Sequence, residues 1–145
     1  IVNYNDPVSD EENRKWELSN LRREHREVHE CVDNDETAAV IANLVHAKKL
    51  VLMTSTEGIY RDPADPKTLV EQVTAKSMEE LEEKVRQLQE SCVGASRAGA
   101  NGAKAKLEYA LKSARQGTMV IIGHARHRLS DLVEGRVACT RIGLE

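Results

Sequence analysis

Two uninterrupted apolar runs, Leu50-Val51-Leu52-Met53 and Met119-Val120-Ile121-Ile122, constrain the fold more than any other feature of this 145-residue chain. A strand with one face in water alternates apolar and polar residues. An unbroken run belongs to a strand covered on both faces, as in the middle of a parallel sheet. Helical patterns precede both runs. The segment from about Asp35 to Ala47 is apolar nearly all round, which predicts a sandwiched helix. Asp33 is placed to cap it, Glu36 completes a capping box, and Lys48-Lys49 suit the negative end of its dipole. The second run follows a helix predicted from about Ala103 to Gln116 and closed by Gly117. Between them, Ser77-Met78-Glu79-Glu80 is another capping box, and Leu81, Val85 and Leu88 form the i, i+4, i+7 stripe of an amphipathic helix. Short strands are expected over Thr68–Val73 and Arg136–Arg141, with a short helix near Ser130–Glu134 stopped by Gly135. Strands alternating with helices predict an α/β domain with a mostly parallel central sheet between helix layers. With 3% aromatic residues and no Phe, its core must be aliphatic.

The length fits one domain. The chain opens on Ile1-Val2, which already reads as a strand, and neither the first nor the last strand is patterned as a sheet edge. We therefore expect a piece of a larger domain whose sheet needs further strands. Ser9–Cys31 is a densely charged segment with seven acidic and five basic residues in 23 positions, expected to form an exposed helix or a mobile excursion. No apolar run approaches the roughly 20 residues of a membrane span, and the start lacks the pattern of a secretory signal. Cys31, Cys92 and Cys139 are too widely spaced for a disulfide or zinc framework, so a reducing cytoplasm is the expected setting.

Charge divides the chain. Residues 1–96 hold 12 basic against 20 acidic residues, while residues 97–145 hold 9 against 4. A basic second half suits either phosphate binding or an ordinary solvated surface. Few aromatics stand beside those cations, so no nucleic-acid stacking platform is expected. The stretch Gly99-Ala100-Asn101-Gly102-Ala103, leading to Lys104 and Lys106, has the composition of a phosphate cradle: glycines admit close backbone approach and a helix start offers free N–H groups. It fits neither the Walker nor the Rossmann pattern, and a tight turn with solvated lysines remains an alternative. Asp33-Asn34-Asp35 at the other helix start serve either as simple caps or as groups that orient a ligand or lysine. His25 and His29 lie one helical turn apart without a third metal ligand. His124 and His127 flank Arg126 and Arg128 as an exposed basic loop or a phosphate contact. No metal site is assigned.

In order, these segments resemble the amino acid kinase superfamily, most closely the glutamate 5-kinases. Ile1-Val2-Asn3-Tyr4-Asn5-Asp6-Pro7-Val8 resembles that family's I-N-E-N-D-x-V segment. Asp33-Asn34-Asp35 with the following helix resembles G-D-N-D-x-L-(S/A)-A. Lys49 to Tyr60 is similar to L-L-L-L-T-D-x-x-G-L-Y, and Gly99 to Ala110 to G-T-G-G-M-x-T-K-x-x-A-A. The resemblance implies the carbamate kinase-like three-layer sandwich, of which this chain is the C-terminal, nucleotide-side half. It implies an ATP- and Mg²⁺-dependent phosphotransferase acting on a carboxylate such as the glutamate side chain in proline biosynthesis. Lys106 would stabilise the transferring phosphoryl group and Asp35 would orient the catalytic lysines. Thr54, Ser55, Gly99, Ala100, Asn101, Gly102 and Lys106 would line the nucleotide, and Asn5, Asp6 and Asn34 the acceptor. A missing N-terminal half, in cis or in trans, and a homo-oligomeric assembly are further implications; neither membrane nor nucleic acid is an expected partner. Ser55 stands where the family has Asp, and Ala100, Asn101 and Ala103 replace Thr, Gly and Met. Those departures keep a non-catalytic nucleotide-binding regulatory module as an alternative, and Asp35-Glu36-Thr37-Ala38-Ala39, which resembles the acceptor-side helix of uridylate kinases, keeps a uridylate kinase-like enzyme as another.

Overall fold

The computed structural model describes residues 34–93 and 100–145, without the side chains of residues 92, 93, 100 and 101. Within these residues, helix α1 (Asn34–Leu44) leads to β1 (Lys49–Thr54). A 3-10 turn (Pro66–Thr68) then precedes β2 (Gln72–Ala75), α2 (Met78–Val93), α3 (Ala100–Ala114), β3 (Met119–His124), α4 (Leu129–Glu134) and β4 (Cys139–Leu144). The strands form one sheet in the order β1-β3-β4-β2. β1 pairs with β3 in parallel, from Lys49 against Met119 to Thr54 against His124. β2 and β4 are also parallel, whereas β3 and β4 are antiparallel, with Val120 opposite Ile142. The sheet is mixed and, as expected, mostly parallel: two parallel pairs are joined by one antiparallel seam.

β3 accounts for the layering. Successive side chains of a strand point to opposite faces, and here Val120, Ile121 and Ile122 are all fully buried. Val120 and Ile122 face a core with Leu81, Val85, Leu107 and Ala110 from α2 and α3. Ile121 packs on the other face with Leu132 of α4 and with Cys139. Helices thus cover both faces, as the apolar run requires. β1 departs from the expectation of a strand covered throughout. It is the end strand of the described sheet, and Met53 is 46% exposed. Nor is α1 sandwiched within the described residues: Ala39 and Ala42 are buried, but Leu44 is largely exposed.

Helix ends explain most boundary differences. α1 stops at Leu44 because His46 takes a left-handed conformation (φ 50°), with the Ala47 N–H donating to Ala42 O at 2.8 Å. This is the Schellman closure with a histidine in place of the usual glycine. Lys48-Lys49 consequently belong to the turn and to β1, not to the helix end. The expected stops at Gly117 (φ 81°) and Gly135 (φ 71°) hold, and the Gly117 N–H donates to Ala114 O at 2.9 Å. The capping box at α2 is looser than its pattern. Ser77 Oγ accepts from the Glu80 N–H at 3.3 Å, but the Glu80 carboxylate reaches back to Lys76, not Ser77. Lys84, and then the Lys76 amide, hold the Glu80 carboxyl below its usual range. β2 and β4 start four and three residues later than the pattern suggested, because the turns after Asp65-Pro66 and Gly135 are longer than it required.

The segment after β1 is pinned to the sheet by close contact. The Ile59 N–H donates to Thr140 Oγ1 at 2.8 Å, and Thr140 is fully buried. A Cβ on Gly58 would press into that hydroxyl and come within 3.0 Å of the Thr140 backbone nitrogen. A Cβ on Gly123 would instead meet the ends of the Leu132 side chain, which can rotate away. Gly58→Ala should therefore destabilise the protein by about 1–3 kcal/mol, more than Gly123→Ala. Urea unfolding of the two variants checks the order, and equal costs would contradict the docking described here. Leu81→Ala, deleting a fully buried side chain from the larger core, should cost about 2–5 kcal/mol in the same assay.

Candidate functional site

Each of the helices α1 and α3 turns directly into the strand that follows it and packs against that strand. A helix connected in this way runs antiparallel to its strand. The starts of α1 and α3 therefore point toward the carboxyl edge of β1 and β3, where Thr54 and His124 lie opposite each other. In open α/β sheets that edge is where ligands bind.

α1 and α3 also pack on each other, and an ion pair joins the first turn of α1 to the second turn of α3. Lys106 Nζ donates to Asp35 Oδ2 at 2.7 Å, with side chains 25% and 11% exposed. Asp35 occupies the first turn of α1, where the helix dipole favours a carboxylate. Lys106 stands two turns into α3, held over the gap between the helices. A partly buried ammonium with its rotamer fixed by one carboxylate is a preorganised point charge. Residues 71 positions apart in sequence are thus brought together.

The other expected site residues divide. Asn34 opens α1 beside Asp35 and is exposed. Ala100 and Asn101 lie in the first turn of α3 and not in a loop, because the helix begins three residues earlier than the glycines suggested. Gly102, also helical, has open space around the position of a Cβ. Thr54 ends β1; its hydroxyl donates to Thr56 O at 2.9 Å and accepts from the Thr56 N–H at 3.1 Å, closing a tight turn that leaves Ser55 exposed. Asn5, Asp6, Gly99, Asp33, His25 and His29 lie outside the described residues, as does the charged segment 9–31.

One cluster at this edge escaped the sequence reading. Glu57, in the turn after β1, pairs through Oε1 with Arg126 and through Oε2 with His127 Nε2 at 2.6 Å. The basic turn that was open to two readings is thereby charge-paired across the sheet edge. No local pattern signalled it, since the partners are 69 and 70 residues apart. Among the described residues, no group of three His, Cys, Asp or Glu side chains is arranged to hold a metal ion. Nor is any described helix long and apolar enough to cross a membrane.

Comparison with known proteins gives the chain's family. A family profile described as the amino acid kinase family matches residues 23–124. The chain is 35% identical over 115 residues to a glutamate 5-kinase of Geobacillus kaustophilus, covering 77% of this chain and 29% of that protein. It is 31% identical over 146 residues to a glutamate 5-kinase of Gloeobacter violaceus, covering 99% of this chain and 34% of that one. A shorter match, 47% identical over 53 residues, is to an acetylglutamate kinase of Methanopyrus kandleri. The chain thus spans about a third of the length of these glutamate 5-kinases. Among solved structures, carbamate kinase from Giardia lamblia bound to AMP-PNP superposes with a TM-score of 0.59 over 83% of this chain and 34% of that one. At 19% identity this likeness concerns the fold. The α/β sheet, the ordered motifs and the family match lead to one conclusion: this chain belongs to the amino acid kinase family.

Proposed function

We propose that the chain is the nucleotide-side part of an ATP-dependent kinase that phosphorylates a carboxylate, with the glutamate side chain as the acceptor. The observation that carries this reading is the Lys106–Asp35 pair, which joins the first turn of α1 to the second turn of α3 at 2.7 Å. It is supported by relatives named glutamate 5-kinase and acetylglutamate kinase, and by a structural neighbour bound to an ATP analogue. A carboxylate oxygen attacks the γ-phosphorus, the bond to the β–γ bridging oxygen breaks, and ADP leaves as an acyl phosphate forms. Such transfer needs positioning and neutralisation of spreading negative charge more than covalent help from the protein.

In this reading Lys106 supplies a cation to the transferring phosphoryl group, and Asp35 keeps that cation aimed. The N–H groups at the start of α3, where Ala100, Asn101 and Gly102 follow Gly99 in sequence, meet the phosphate oxygens. Thr54 and Ser55 adjoin the nucleotide, and Asn34 with Asn5 and Asp6 meets the acceptor. The described residues do not fit a metal-holding set, so Mg²⁺ enters here as part of the substrate Mg·ATP. The remainder of the catalytic domain, an oligomeric assembly and a cytoplasmic setting belong to the same proposal.

The complete protein, supplied with Mg·ATP and glutamate, should release ADP. Lys106→Ala should lower kcat by about 10²–10³-fold, the loss typical of one charge-stabilising group. Unchanged turnover in that variant would overturn the assignment. Turnover with UMP in place of glutamate would overturn the acceptor. Asp35→Asn keeps an acceptor for Lys106 Nζ but removes the charge, so a smaller loss of kcat is expected. Its cost in stability should be about 1–2 kcal/mol in chemical unfolding, below the 3–5 kcal/mol of a fully buried pair, because the lysine can rehydrate. An Asp35→Asn enzyme more impaired than Lys106→Ala would contradict a purely positioning role.

A further inference from the structure

The Glu57 cluster lies at the carboxyl edge of the β1/β3 pair, and the proposal above does not use it. Its construction is specific. The β1–β3 pairing extends one residue past β3 through the Ala125 N–H, which donates to Thr54 O at 2.8 Å, and the turn closes as the His127 N–H donates to His124 O at 3.0 Å. His124 Nδ1 accepts from the Arg126 N–H at 3.1 Å, and the His124 ring stands edge-on to His127 with centroids 6.3 Å apart. This presents Arg126 and His127 to Glu57, whose side chain is only 16% exposed and whose two oxygens each take one of them. His127 is covered to a similar degree, whereas Arg126 remains 64% exposed.

A carboxylate so covered needs charge-assisted partners, and it has them. A guanidinium carries five N–H donors. With one terminal nitrogen engaged by Glu57 and most of the side chain exposed, Arg126 keeps donors available at the edge where ligands bind. The neighbouring Arg128 is exposed as well. An arginine tethered at one end and open at the other is prepared for an anion without losing rotamer freedom on binding.

The geometry points to Glu57 as a positioning residue that holds Arg126 as a contact for the phosphates of a bound nucleoside triphosphate. This rests on the kinase reading and adds to it a contact from the turn after β3. Glu57 itself does not touch the ligand; it acts through Arg126, with His127 bracing the second carboxylate oxygen.

The test is AMP-PNP binding to the complete protein by calorimetry, followed by steady-state kinetics. Glu57→Gln and Arg126→Ala should each weaken AMP-PNP binding about tenfold, the worth of one charge-assisted contact. In kinetics they should raise the KM for ATP and leave kcat near the wild-type value. Because Glu57 acts through Arg126, the double variant should bind no more weakly than Arg126→Ala alone. Glu82→Gln, which breaks an exposed ion pair between α2 and Arg115, the residue after α3, should bind as wild type. Wild-type affinity in Glu57→Gln would overturn the inference, as would additive losses in the double variant or a fall in kcat with KM unchanged. If the wild-type protein itself fails to bind AMP-PNP, the kinase reading falls and this inference with it. Binding that is merely insensitive to Glu57 removes the inference alone.

Discussion

The parallel pairing of β1 with β3 is the constraint on which the rest of the structure depends. Six residue pairs run in register from Lys49 and Met119 to Thr54 and His124. Because the strands are parallel, their carboxyl ends come to one edge. Because a helix leads tightly into each strand, both helix starts come to that edge too. One topological choice thereby gathers the Thr54 turn, the basic turn after β3 and the first turns of α1 and α3. An antiparallel arrangement of the same two strands would have sent half of these groups to the opposite side of the sheet.

Rigidity at that edge comes from what lies beneath it. β3 is buried on both faces, with α2 and α3 packed over Val120 and Ile122 and α4 over Ile121. The segment leaving β1 is locked by the Ile59–Thr140 hydrogen bond and the absence of a Cβ at Gly58. The polar groups thus sit on a packed aliphatic base, and their ion pairs form at low cost in side-chain entropy. The Lys106–Asp35 pair and the Glu57 cluster share a design: a largely covered carboxylate holds a more exposed cation in place. Such pairs add less to stability than apolar burial does. Their effect is to fix where a positive charge stands.

The elements most legible in the sequence were those set by short-range physics. The stripe of Leu81, Val85 and Leu88 is buried as its spacing required, and Gly117 and Gly135 end their helices in left-handed conformations. Errors arose where a local pattern had a tertiary competitor or no local signal. α1 ended early because His46 took a conformation that no glycine announced. The glycines before Lys104 read as a loop, but Ala100 and Asn101 joined the helix. At the site, Lys106 and Asp35 meet across 71 residues, a contact that no local spacing carries. The Glu57 cluster was not foreseen, since a lone glutamate after a strand has no periodicity to betray its partner.

By itself the sequence determined the alternation of strand and helix, the double cover of β3, the aliphatic core and the family to which the chain belongs. These follow from hydrophobic period, helix punctuation and motif order, all of which are written along the chain. Tertiary structure alone decided that the sheet is mixed, that β1 ends the described sheet, and that Glu57 reaches Arg126 and His127 across about 70 residues. The physical reason is that strand direction and long-range ion pairs depend on how separate segments meet in space, and no segment carries that information alone.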